Sequence, residues 1–194
     1  MKLISLNRSR VQALTTPGGV VQSGIRKRPV EGPVEVRLLG LEGDEQADLT
    51  VHGGLSKAVY AYPQEHYGFW QTVRAQARVA LWDDALEFGS LGENLTIQGV
   101  TEDRLWIGDR LLVGGTADAP GCVLAVSEPR FPCFKFTATM GFGQAGKLMV
   151  QSGYCGAYLG VIDAGTVQAG DTITLVPGPR EVNLRELFKA RMGA

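Results

Sequence analysis

The cysteine with the most informative neighbours is Cys133, within residues 127–136 (SEPRFPCFKF). Two prolines in this segment fix φ and bias the residues before them towards extended backbone, so the chain before Cys133 is stiff. If the segment is extended, it places Phe131, Cys133 and Lys135 on one face. Arg130 and Lys135 favour the thiolate, the form that attacks electrophiles and binds soft metals. A buried structural cysteine is the alternative, and the other two cysteines, which lack such neighbours, are interpreted in that way.

Three polar loops supply further candidates for a site. His52 stands directly before Gly53 in a glycine pair, where an imidazole can bind an anion or move a proton. Glu93 and Asn94 follow two glycines, which suggests a loop that directs polar side chains at one place. Lys27 lies in a basic cluster that can meet an anionic ligand. For each loop the alternative is ordinary turn composition at the protein surface.

The composition restricts the class of protein. The chain has 194 residues, 44% of them hydrophobic, and a net charge of −1, which argues against a protein that holds a long nucleic acid. The three cysteines include no CxxC pair, which argues against a disulfide framework and a thiolate zinc site. The apolar run at the N-terminus is too short and too polar for a signal peptide, and no apolar run reaches about 18–20 residues, so we expect a cytoplasmic protein without a membrane span. It also lacks P-loop, GxGxxG, HExxH and GxSxG motifs.

The elements that must position these residues are mostly short strands. Apolar or alternating runs separated by glycine and proline turns predict one mainly β domain over residues 1–194, with helices packed outside. Helical spacing of apolar residues predicts a helix over 64–79, and a weaker one is predicted within 134–149. Asn183 is placed to cap a C-terminal helix over about 181–191.

The ordered set of segments resembles the MOSC domain family, named after the C-terminal domain of molybdenum cofactor sulfurase. The resemblance covers roughly residues 24–176 and is closest to the small bacterial stand-alone type. The segments that carry it are GLEGDEQAD (40–48), HGG (52–54), residues 58–70, GENL (92–95), GD (108–109) and EPRFPCFK (128–135). What the resemblance implies for the fold is a closed β-barrel of the pyruvate kinase β-barrel-like type with a few peripheral helices.

The resemblance also implies a site. Cys133 would ligate molybdenum or carry sulfur, with His52 as a second catalytic residue. The molybdenum cofactor (molybdopterin) would be the cofactor, with no pyridoxal phosphate site in this chain. The residues implied to bind the cofactor are Lys27, His52, Gly53, Glu93, Asn94, Arg130 and Lys135. Tyr154 stands where the family often has an arginine, so one expected anion contact is missing.

Three functions stay open at this point. The first is an oxidoreductase that reduces N-hydroxylated compounds, of the hydroxylaminopurine type, at molybdenum held by Cys133. The second is a cofactor carrier or sulfur-transfer protein with a Cys133 persulfide. The third is a metal-free hydrolase or transferase that uses Cys133 and His52. The expected partners are a small-molecule substrate and a redox or sulfur-donor protein, without a nucleic-acid polymer or a membrane.

Overall fold

Strands and short helices alternate along the chain, in a computed structural model that describes residues 1–48, 53–116 and 118–193. The strands are β1 (Lys2–Arg8), β2 (Gln12–Thr16), β3 (Gly19–Ser23), β4 (Arg28–Pro29), β5 (Val34–Arg37), β6 (Gly40–Leu41), β7 (Val59–Pro63), β8 (Leu95–Gln98), β9 (Arg110–Gly115), β10 (Pro120–Pro129), β11 (Ala157–Asp163), β12 (Gly165–Val167) and β13 (Ile173–Val176). The helices are α1 (Tyr67–Gln76), α2 (Phe134–Met140), α3 (Ala145–Ser152) and α4 (Leu184–Met192). The prediction of a mainly β protein with a few helices is confirmed.

The largest sheet has eight strands in the order β13-β9-β10-β11-β7-β8-β1-β4. All neighbours in it are antiparallel except β7 and β8, which run parallel. A three-stranded sheet, β12-β5-β6, and the hairpin β2-β3 complete the pairing of the described strands. The large sheet therefore holds together strands from both ends of the chain, with the long strand β10 near its middle.

The predicted closure into a barrel is wrong for the part of the chain that the structure describes, since none of the described sheets closes on itself. The free edge of β1 is divided between two partners. Asn7 and Arg8 pair with β4, and at the other end of β1 a single bridge joins Lys2 to Thr172, next to β13. A barrel needs a continuous ladder around its circumference, and one bridge does not supply it.

Two hydrophobic cores lie on either side of β7. One is built of aliphatic side chains from the large sheet and from β5, β6 and β12, such as Leu6, Leu111 and Leu159. The other contains the aromatic and sulfur-bearing side chains of β7 and the helices, among them Trp70 and Phe136. The second core fixes the helices against the sheet beside the residues predicted to do chemistry.

The helices differ in detail from the sequence prediction. The segment predicted over 64–79 begins with a 3-10 turn, and α1 follows it. The segment within 134–149 is two helices because Gly141 takes a left-handed conformation (φ 85°) that ends α2. Asn183 accepts hydrogen bonds from the backbone of Arg185 and Glu186, so it caps α4 as the sequence indicates. Among the described residues, no helix is both long and apolar enough to cross a membrane.

Candidate functional site

A cavity of about 610 Å³, including its open mouth, lies where the loops before β4, after β6 and before β8 meet the segment after β10. Six of the residues predicted for the site line it: Lys27, Gly53, Asn94, Arg130, Cys133 and Lys135. Its other walls come from Ser23, Gly24, Ile25, residues 44–48, Lys57, Tyr60, Gly92 and Tyr158. The two remaining predicted residues are Glu93, which does not line the cavity, and His52, which lies outside the described residues.

Arg130 is the buried cation of this cavity. Its side chain is 3% exposed, and its Nη1 donates a hydrogen bond of 2.8 Å to the carbonyl of Leu91. The guanidinium lies 5.0 Å from the ring centroids of both Tyr60 and Phe136, which hold it by cation–π contact. Within the described ranges no carboxylate is close enough to form an ion pair with it. A buried guanidinium without a carboxylate partner favours an anionic ligand.

Cys133 stands between β10 and α2 in an extended conformation (φ −134°, ψ 166°), after the stiff segment that contains the two prolines. It is half-buried, and α2 begins at the next residue, with the Thr137 N–H donating to the Cys133 carbonyl at 3.2 Å. The extended interpretation of this segment is therefore correct up to Cys133 and wrong beyond it. Lys135 still lines the cavity from the first turn of α2, with its Nζ donating to the carbonyl of Gln22 at 3.1 Å.

Lys27 forms a buried ion pair with Asp44. Its Nζ lies 2.5 and 2.6 Å from the two carboxylate oxygens, and the two side chains are 7% and 2% exposed. Burial lowers the pKa of Lys27 below its usual value of 10.5, although Asp44 opposes this shift. Because the carboxylate neutralises it, Lys27 contributes less net charge to the cavity than the sequence suggests.

Asn94 connects that ion pair to the sheet. Its Nδ2 donates to Asp44 at 2.9 Å, and its Oδ1 accepts from the backbone of Tyr60 at 3.1 Å. The backbone N–H of Ser9 donates to the other oxygen of Asp44 at 2.8 Å. No role for Asp44 was predicted from the sequence. The ion pair joins it to Lys27, which lies 17 residues away in the chain.

Two tyrosines form the wall beside Cys133. Tyr60 and Tyr158 have ring centroids 5.3 Å apart, and the Tyr60 hydroxyl donates to the carbonyl of Cys155 at 2.8 Å. Lys57 Nζ lies 5.8 Å from the centroid of Tyr158 and 3.5 Å from a carboxylate oxygen of Glu128. Neither tyrosine stands out in the sequence, because a tyrosine in a strand gives no signal that separates a binding wall from a core.

Glu93 is the predicted binding residue that the structure places elsewhere. Its carboxylate is inside the fold, where it accepts from the hydroxyl of Tyr67, the backbone of Gly89 at 2.8 Å and the hydroxyl of Thr96 at 2.8 Å. Burial raises its pKa above the usual 4.5, although these donors oppose the shift. Glu93 therefore supports the loop that carries Asn94 and is not among the residues that line the cavity.

A second hollow opens beside the cavity, and we name it the aromatic hollow. Its lining is Asp48, Lys57, Phe131, Pro132, Cys133, Phe134, Lys135 and Tyr158. Cys133 belongs to the walls of both spaces. A group held at its sulfur would therefore border both spaces.

These residues can bind a metal-bearing anion more readily than a bare metal ion. No group of three or more His, Cys, Asp and Glu side chains suited to a metal is found in the described parts of the chain. Cys133 supplies one soft ligand, and Arg130 supplies a charge-assisted donor for an anionic group. This donor set fits a metal that arrives with most of its ligands on an anionic cofactor.

Comparison with known proteins gives one family and several relatives. The MOSC domain family matches residues 48–174. The protein YflK of Bacillus subtilis is 36% identical over 174 residues, 90% of this chain and 72% of YflK. A protein of Gibberella moniliformis named "Reductase" is 32% identical over 178 residues, but this chain spans only 30% of its length. The crystal structure of YiiM from Geobacillus stearothermophilus has a TM-score of 0.74 at 27% identity, covering 98% of this chain and 83% of YiiM.

Proposed function

This chain belongs to the MOSC domain family, and we propose that it binds the molybdenum cofactor and reduces the N–O bond of N-hydroxylated compounds. In this proposal Cys133 ligates the molybdenum and Arg130 holds an anionic part of the cofactor. The observation that carries it is the position of a half-buried thiol and a carboxylate-free, buried guanidinium in the walls of one cavity. The relative named a reductase supports the oxidoreductase class.

Arg130 is the first support for an anionic ligand. Leaving a buried charge without an opposite charge costs several kcal/mol, on the order of 3–5 when a partner is removed. The aromatic faces of Tyr60 and Phe136 offset part of this cost, and a phosphate would offset more through paired N–H···O bonds. The pterin of the cofactor carries such a phosphate, so Arg130 is the residue that we assign to it.

Cys133 is the second support. Thiolate is a soft ligand suited to a metal of this type, and the residue is accessible from two spaces. The other cysteines are unsuited, because Cys122 and Cys155 are 1% and 0% exposed and burial raises the pKa of each thiol. The bound cofactor would supply two electrons, and the chain would supply position and protons.

Lys27 is the residue that we assign to the proton. Reduction of an N–OH group to N–H consumes two electrons and two protons and releases water. Lys27 lines the cavity, and burial lowers the pKa of its ammonium, which makes it a better acid than an exposed lysine. Asp44 and Asn94 hold the lysine in place, so the proton donor has a fixed position.

The experiment is the molybdenum and pterin content of protein purified from a host that makes the cofactor. We expect near-stoichiometric molybdenum in the wild type and its loss in Cys133→Ser. Cys122→Ala is the matched control, since that cysteine is in the core, and it should keep the metal. Equal metal in wild type and Cys133→Ser would reject Cys133 as the ligand.

A second measurement separates the remaining functions. The loaded protein should reduce 6-hydroxylaminopurine with reduced methyl viologen as electron donor, and Lys27→Met should slow this reduction without loss of molybdenum. Metal without reduction, together with a Cys133 persulfide found by mass spectrometry, would favour the carrier or sulfur-transfer function. Thiol-dependent hydrolysis by metal-free protein would favour the Cys–His alternative.

A further inference from the structure

The aromatic hollow and the polar cavity meet along a common wall. Five residues line both spaces: Asp48, Lys57, Cys133, Lys135 and Tyr158. The residues found only in the hollow are Phe131, Pro132 and Phe134, which surround Cys133 in the sequence and are all apolar. Those found only in the cavity include the charged groups Lys27, Asp44 and Arg130. Asp48, Lys57 and Lys135 bring charge to both spaces, but every side chain that only the hollow has is apolar.

The two phenylalanines of the hollow are held differently. The ring of Phe131 stacks on Phe188 of α4, with centroids 5.8 Å apart and planes 14° from parallel. That contact fixes Phe131 as a rigid wall. Phe134 is the first residue of α2 and is 59% exposed, so its side chain is available for contact with a ligand. Its backbone is fixed because α2 begins there, next to Cys133.

We propose that the aromatic hollow is the substrate side of Cys133 and binds a flat aromatic ring, with Phe134 as the residue that stacks on it. This rests on the proposed function, in which the cofactor occupies the charged cavity and the substrate reaches the metal from the other space. The apolar side chains of Phe131, Pro132 and Phe134 favour a ring over a short aliphatic chain, because stacked rings add to the gain from burial. Phe134 is a specificity-determining residue in this assignment.

The reaction leaves the ring unchanged. A substrate of the form ring–NH–OH would take up two protons and the two electrons that a bound cofactor would supply, its N–O bond would break, and ring–NH2 and water would leave. The stacking contact is the same before and after the bond breaks. Phe134 therefore contributes binding, and its loss should raise KM and leave kcat nearly unchanged.

The pterin ring of the cofactor is the competing occupant of the hollow, since it is also flat and aromatic. The two assignments predict different consequences of one substitution. If the hollow binds substrate, Phe134→Leu keeps its full content of molybdenum and pterin. If the hollow binds the pterin, the same variant loses cofactor, and that result would overturn the proposal.

The kinetic test compares two substrates in three proteins. The proteins are wild type, Phe134→Leu and the control Trp82→Leu, which changes an aromatic side chain that is 71% exposed and lies outside both spaces. For 6-hydroxylaminopurine, we expect Phe134→Leu to raise KM by about threefold to tenfold, the range expected for one lost ring contact. For N-methylhydroxylamine, which has no ring, KM should not change. An equal effect on both substrates would overturn the assignment.

A binding measurement separates this proposal from the proposed function. Adenine carries the ring and the amino group of the expected product, and its binding can be measured by calorimetry without turnover. We expect the wild type and Trp82→Leu to bind it equally and Phe134→Leu to bind it several-fold more weakly. If no reduction is found but this pattern holds, the reductase function fails and the ring site stands. Equal binding by all three proteins would reject the ring site.

Discussion

The buried ion pair between Lys27 and Asp44 gives the sharpest test of the site's electrostatics. Asp44→Asn removes the carboxylate and leaves an ammonium that is only 7% exposed. Breaking a buried pair in this way costs about 3–5 kcal/mol of the free energy of unfolding. For a chain of this size, that corresponds to a fall in Tm of about 6–20 °C. The protein should stay folded, but with much of its stability lost.

The pH dependence of the stability lost in Asp44→Asn shows whether the unpaired Lys27 ammonium causes it. Burial already lowers the pKa of Lys27, and the substitution removes the group that opposes the shift. A lysine with a lowered pKa in the folded state contributes stability above its unfolded pKa, and this is lost as the pH falls through the folded pKa. The difference in free energy of unfolding between wild type and Asp44→Asn should therefore be large at pH 7. It should be smaller at pH 9.5, where the lysine can become neutral.

Urea unfolding of the cofactor-free protein, followed by circular dichroism at both pH values, measures this gap. Glu35→Gln is the matched control, because it makes the same change in an exposed pair with Arg37, and it should alter stability far less. Adding Lys27→Met to Asp44→Asn should restore part of the lost stability, since the unpaired charge is gone. An Asp44→Asn protein as stable as wild type at pH 7 would refute the assignment of a buried pair.

Three further predictions concern the supports of the site. Glu93 has a raised pKa, so its stabilisation is complete below pH 4.5 and is lost as the pH rises through the folded pKa. Glu93→Gln should therefore make the decline of Tm between pH 5 and pH 8 less steep. An unchanged slope would contradict a contribution from the raised pKa of Glu93. Gly24→Ala would place a Cβ 2.1 Å from the carbonyl oxygen of Glu45, so a fall in molybdenum content and in Tm is expected, whereas Gly143→Ala, with open space, should change neither. Asn183→Ala removes the cap of α4 and should cost about 0.5–2 kcal/mol in urea unfolding, and no loss would show that the cap is not needed.

The part of the site that the sequence could predict is the part that its local chemistry determines. Arg130 and Cys133 stand on a segment whose prolines restrict the backbone, so their proximity follows from a short stretch of chain. The partnership of Lys27 with Asp44 depends on two loops that only the folded sheet brings together. Glu93 and Asn94 are neighbours in sequence, but only Asn94 lines the cavity, and composition does not indicate which of the two does so.

The same limit applies to the fold. Short strands, the cap at Asn183 and the general position of the helices follow from local patterns. Whether the sheet closes does not follow from local patterns, because closure depends on how β1 is shared between β4 and Thr172. A helix within 134–149 was predicted, but its division into α2 and α3 was not, because a glycine pattern does not show which glycine takes the left-handed conformation that ends a helix.

The single bridge between Lys2 and Thr172 makes the junction between β1 and the start of β13 a seam. The seam is held by a few backbone hydrogen bonds, which the N–H groups of Leu3, Gly170 and Ile173 donate. The ladder between β10 and β11, in contrast, runs from Val123 to Pro129. Local opening of the sheet should therefore start at the seam, and these three amide protons should exchange with solvent faster than those of the central ladder. The protein can then loosen where its two ends meet while the strand that leads to Cys133 stays paired.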